Sequence, residues 1–76
     1  MKLYDKLHNV VYSIGTILNF QDFFYIIDSI NKEFITVTLH KLYDENGPPK
    51  ILTLKEFEQG LEDIDGLRHI IEIKED

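Results

Sequence analysis

The sequence predicts a small α+β protein, an antiparallel sheet of about five strands with one packed amphipathic helix near residues 54–65. Three observations carry that expectation. The chain has no alanine but eleven isoleucines, nine leucines and nine aromatic residues, a supply suited to sheet and poor in the best helix former. Residues 33–40 alternate, with Ile35, Val37 and Leu39 on one face and Thr36, Thr38 and His40 on the other, as in a half-buried antiparallel strand. Leu54, Phe57, Leu61 and Ile64 are spaced three, four and three apart, which gathers them within about 80° of a helical wheel.

The remaining elements follow from local chemistry. Residues 1–12 are ambiguous: Leu3, Leu7, Val10 and Ile14 have helical spacing, whereas Val10-Val11-Tyr12 is β-like. A short helix or turn leading into the first strand is the expectation there. Residues 14–20 read as a strand that turns at Gln21-Asp22. Residues 23–30 are apolar on both faces for five residues and read as a central strand. A tight turn at Asn31-Lys32, where Asn tolerates positive φ, joins it to the strand at 33–40. These three strands form a meander over residues 14–42. Asp44-Glu45-Asn46-Gly47-Pro48-Pro49 is dense in turn-forming residues and marks the one long loop. A short strand at 51–53 follows, and Thr53-Leu54-Lys55-Glu56 has the spacing of a capping box. Gly66 suits a left-handed helix cap. Residues 68–73 read as a last strand closing against the meander.

This order resembles the layout of a small SH3-like barrel over residues 14–73, with Gly15-Thr16-Ile17 opening the meander and a helical turn before the last strand. The helix is longer than that layout implies, so an open sheet with a packed helix is an equal expectation. Neither arrangement implies a function. The whole chain reads as a single domain, small enough that its core must be thin.

Composition excludes several chemistries. Without cysteine there is no disulfide framework, thiolate metal site or cysteine nucleophile, and a reducing cytoplasm is the expected compartment. No apolar stretch follows the opening residues or approaches the length of a membrane span, so neither a signal peptide nor a membrane partner is expected. Eight bases spread through the chain form no stripe for phosphates, which argues against direct nucleic-acid binding. Four scattered glycines make no phosphate cradle, and Ser13 and Ser29 lack a nucleophile-elbow context. Asp28 within an apolar strand reads either as a carboxylate of raised pKa or as a strand-end charge that blunts an edge. An EF-hand alignment on Gly66 puts Leu61 where the first carboxylate ligand belongs, and is rejected. His8, His40 and His69 have no ligand spacing, so no metal, cofactor or catalytic residue is expected.

Charge placement is more informative. The formal charge is −6. Residues 1–55 are balanced, with Asp5, Asp22, Asp28, Glu33, Asp44 and Glu45 against Lys2, Lys6, Lys32, Lys41, Lys50 and Lys55. The whole excess lies in residues 56–76, where Glu56, Glu58, Glu62, Asp63, Asp65, Glu72, Glu75 and Asp76 face only Arg68 and Lys74. Glu58 and Glu62 repel at i,i+4 spacing, and Glu62, Asp63 and Asp65 crowd the helix end whose dipole disfavours anions. The bland reading is a solubilising face. The functional reading makes Glu56, Glu58, Glu62, Asp63, Asp65 and Glu72 a partner-binding face.

The expected function is therefore a non-catalytic protein-binding module. Its sharpest form is a small acidic inhibitor of phage or mobile-element type, whose carboxylates mimic nucleic acid and block a basic surface, such as that of a nucleic-acid-binding protein. The alternative is a small SH3-like module or subunit binding a peptide or protein through an aromatic face, with Phe23, Tyr25 and Tyr43 as candidate contacts. A homodimer is compatible with either. A minor enzyme using Asp28 with a histidine is the third class considered.

Overall fold

A computed structural model describes all residues except Glu45, and for residues 62–65 it describes the backbone alone. Among the described residues there are seven strands in two antiparallel sheets and one helix, with no closed barrel. Strands β1 (Lys2–Asp5), β2 (Val10–Ser13) and β7 (Ile71–Lys74) form the smaller sheet, in the order β2-β1-β7. Strands β3 (Ile17–Phe20), β4 (Phe23–Asn31), β5 (Thr36–Lys41) and β6 (Lys50–Thr53) form the larger, in chain order. Helix α1 spans Leu54–Asp65, as its apolar spacing predicts.

The expectation of a single sheet of about five strands is thus corrected to two sheets and seven strands. Two local misreadings account for the difference. Residues 1–12 are a hairpin, β1 against β2, rather than a short helix or turn. Of the four residues with helical spacing only Leu3 is buried; Leu7, Val10 and Ile14 are exposed, so that periodicity had no core behind it. The last strand pairs with β1, Leu3 opposite Ile73 and Asp5 opposite Ile71, and does not close on the meander.

The meander itself forms as expected. Gln21 and Asp22, both at positive φ (51° and 71°), make the two-residue turn between β3 and β4, the handedness that matches strand twist. The next turn is longer than expected. Residues 32–35 loop out, Asn31 Oδ1 accepts the Phe34 amide at 3.0 Å, and Ile35 takes a φ of 55°. Strand β5 therefore starts at Thr36, and Ile35 is exposed and off the face of Val37 and Leu39. A bulge at Asp28 interrupts β4: Ile27 pairs with Leu39 and Ser29 with Thr38. An extra residue resets the alternation, so Ile27 and Ile30 both turn toward the core side.

One core joins these elements. Leu18, Phe20, Tyr25, Ile27, Val37 and Leu39 from the larger sheet meet Phe57 and Leu61 from α1 and Leu3 and Ile71 from the smaller sheet. The helix starts at its capping box, with Glu56 Oε1 accepting the Thr53 amide at 2.9 Å and Thr53 Oγ1 accepting the Glu56 amide at 3.1 Å. It is followed by Gly66 at a φ of 69°, a left-handed conformation that glycine adopts without Cβ strain. The Phe57 ring stacks on Phe20 at 5.8 Å and 8° and meets Tyr12 edge-on at 6.0 Å. Gly60 makes that contact achievable, because a Cβ there would land on Cε2 and Cζ of the Phe20 ring.

Gly60→Ala is accordingly expected to destabilise the fold. Alanine gains about 0.8–1.0 kcal/mol of helix propensity, but displacing a packed core ring typically costs about 1–3 kcal/mol. Urea denaturation should show a lower midpoint with unchanged slope. A higher midpoint would mean that Phe20 yields without cost.

Candidate functional site

Asp5 is an aspartate that faces the core. It is the last residue of β1, shares the inward face with Leu3, and its side chain is 0% exposed. Its carboxylate carries four hydrogen bonds. Oδ1 accepts the backbone amides of Leu7 at 3.1 Å and His8 at 3.3 Å, which shapes the turn toward β2. Oδ2 accepts from His69 Nδ1 at 2.6 Å and from His8 Nδ1 at 3.1 Å. His69 is buried and precedes β7, and the Lys6 amide donates to the Ile70 carbonyl at 2.9 Å, extending the β1–β7 pairing to this point. The two imidazoles stack at 4.2 Å and 19°. One ligand atom from each of Asp5, His8 and His69 lies within 4.8 Å of the others.

Burial alone would raise the Asp5 pKa. The hydrogen bonds from His69 and His8, the His8 amide and the charge of His69 outweigh it, and hold the carboxyl below its ordinary value of 3.8. The site thus fixes an anion in the interior by aiming donors at it. Sequence spacing missed it because the two histidines are sixty-one positions apart and meet only through the β1–β7 pairing. The sequence carried no local signal for it, since the inward position of Asp5 follows only from the β1 pairing.

His40 stays apart from this cluster, its Nε2–H donating to the Asp44 carbonyl at 2.9 Å. Asp28 is exposed at the bulge. Ser13 and Ser29 are exposed on β2 and β4.

The acidic residues singled out by sequence divide into two groups. Glu56 belongs to the capping box. Glu58 Oε1 accepts the Ile71 amide at 2.8 Å and ties α1 to the start of β7. Glu72 lies between Lys6 at 3.3 Å and Lys74 at 3.5 Å. The tail acids are also paired, Glu75 with Lys32 at 3.0 Å and Asp76 with the Met1 ammonium at 2.6 Å, which lowers the Asp76 pKa. Glu62, Asp63 and Asp65 fall in the last turns of α1, where no basic residue accompanies them; their side chains lie outside the described residues.

The aromatic candidates also part company. Tyr25 is in the core, edge-on to Phe20, and is not available as a surface contact. Phe23 is half-exposed beneath the Lys41 ammonium, 3.8 Å from its centroid. Tyr43 is 98% exposed on the loop after β5, at a φ of 65°. The outer face of the larger sheet carries a further apolar set. Ile17 pairs with Ile26, which pairs with His40; Asn19 pairs with Phe24, and Thr38 with Ile51. Ile17, Phe24 and Ile51 are 55%, 59% and 65% exposed. The helix packs on the other face, through Phe57 and Leu61.

No helix among the described residues is long and apolar enough to cross a membrane. Searches find no matching family model, curated protein or solved structure.

The lowered Asp5 pKa has a consequence for stability. The ionised carboxylate stabilises the fold fully above its unfolded value, about 3.8, and that contribution is lost as pH falls through the lower folded value. Asp5→Asn should cost about 1–3 kcal/mol at neutral pH by leaving buried donors unpaired. Denaturant titrations should show the gap between variant and parent narrowing as pH drops below 3.8. A gap independent of pH would mean that the ionised form is not what the fold stabilises.

Proposed function

We propose that this chain is a non-catalytic protein-binding module acting in the cytoplasm, with the outer face of its larger sheet as the contact surface. The observation that supports this reading most is the exposure of Ile17 and Phe24 on diagonal positions of β3 and β4, with Ile51 farther across the same face on β6 beyond Thr38, on a sheet whose other face packs on the core. Apolar side chains gathered on one face of a small protein are suited to burial against a partner. Phe23 shares the core-side face with Phe20, its partner across the β3–β4 turn, and so lies outside this surface, while Tyr43 is exposed on the loop after β5.

A second reading is favoured by a separate observation. Helix α1 ends in Glu62, Asp63 and Asp65 with no basic residue in its last turn, a local electrostatic cost that suits a cationic partner. On this reading the protein is an acidic inhibitor of phage or mobile-element type. Its carboxylates would occupy the phosphate-binding groove of a nucleic-acid-binding protein. Glu56, Glu58 and Glu72 carry less of this reading, since capping, strand docking and lysine pairing already account for them.

Two variants separate the readings. Phe24→Ser with Ile51→Ser alters exposed side chains and should leave the fold intact within about 1 kcal/mol. It is expected to abolish retention of the partners captured from lysate by the parent protein. Glu62→Lys, Asp63→Lys and Asp65→Lys together should leave that retention unchanged. The opposite pattern, with capture released by salt, would support the acidic inhibitor and overturn the apolar-face reading.

A further inference from the structure

We propose that Asp5, His8 and His69 form a binding site for a divalent cation of the zinc class, with one Asp5 carboxylate oxygen and Nδ1 of each imidazole as its three protein ligands. The donor set is one that such ions take, two neutral imidazoles and a carboxylate, with the fourth position left to water. One ligand atom from each of the three residues already lies within 4.8 Å of the others, and Asp5 Oδ2 is in contact with Nδ1 of both rings. Ligands held about 2.0–2.1 Å from zinc in a tetrahedron sit about 3.3 Å apart. The Asp5–His69 and Asp5–His8 contacts, 2.6 and 3.1 Å, would therefore widen by tenths of an ångström, and the stacked rings, 4.2 Å apart and 19° from parallel, would turn, chiefly at the partly exposed His8, so that both Nδ1 lone pairs meet the ion.

Three features of the surroundings support the site. Asp5 Oδ1 is held by the Leu7 and His8 amides, so the carboxylate keeps its orientation when Oδ2 changes partner. The described partners of this buried anion are imidazoles and amides, without a lysine or arginine. The His8 side chain is 29% exposed while Asp5 and His69 are buried, which gives an ion one open side for entry and for a water ligand. On binding, the proton on each Nδ1 is displaced, each ring keeps a proton on Nε2, and the metal takes the vacated lone pair.

The site ties β1 and its turn to the segment entering β7, so cation binding should stabilise the smaller sheet. It is independent of the contact surface proposed above. The test is titration of the untagged, chelator-stripped protein with zinc chloride, followed by calorimetry, thermal unfolding and imidazole nitrogen NMR. One zinc per chain should bind, Tm should rise by roughly 10–20 °C at a hundred-fold excess over Kd, and the His8 and His69 rings should change tautomer. His8→Gln should weaken binding at least tenfold, His40→Gln should not, and magnesium or calcium should have no effect. The proposal fails if zinc leaves Tm and both rings unchanged, if magnesium acts as zinc does, or if His8→Gln binds as the parent. Should His8→Gln not fold, the ring tautomers of the parent protein decide.

Discussion

The fold rests on one contact, the face of helix α1 against Phe20. Two small antiparallel sheets, one of three strands and one of four, bury little apart. The helix packs against β3, β5 and β6 of one and β7 of the other, turning two half-cores into a single one. Phe57 and Gly60 make a matched pair within it, one supplying a ring and the other the absence of a side chain. Glu58 adds a polar fastening by accepting the Ile71 amide, so the same helix both fills the interior and fixes where β7 begins.

The parts of this architecture that were legible in the sequence are those decided locally. The helix at residues 54–65, its Thr53–Glu56 box, its Gly66 cap and the Gln21-Asp22 turn all follow from nearest-neighbour chemistry. The errors arose where a distant partner decides. Residues 1–12 offered helical and extended patterns together, and the choice fell to β7, some seventy residues away. The second sheet was invisible for the same reason. Asn31 looked like a tight turn, but its side chain binds the Phe34 amide and lengthens the loop.

The candidate sites were legible to a similar degree. Charge reading found the acids, yet could not foresee that Glu56, Glu58 and Glu72 have partners inside the molecule. Aromatic reading placed Tyr25 on the surface, when the central strand turns it inward and leaves Phe24 outside. The Asp5–His8–His69 cluster needed both sheet pairing and a buried aspartate to become visible.

The bulge at Asp28 divides β4 into two halves of opposite phase. Before it, odd-numbered residues such as Tyr25 and Ile27 point inward; beyond it, the inward residue is Ile30. One extra backbone unit thereby lets a nine-residue strand satisfy two incompatible alternations. The chain is consequently more sensitive to the number of residues here than to their identity. Replacing Asp28 changes one exposed side chain, and losing it would leave Ile27, Ser29 and Ile30 in plain alternation opposite Leu39, Thr38 and Val37, whereas a second inserted residue would turn Ile30 from core to solvent.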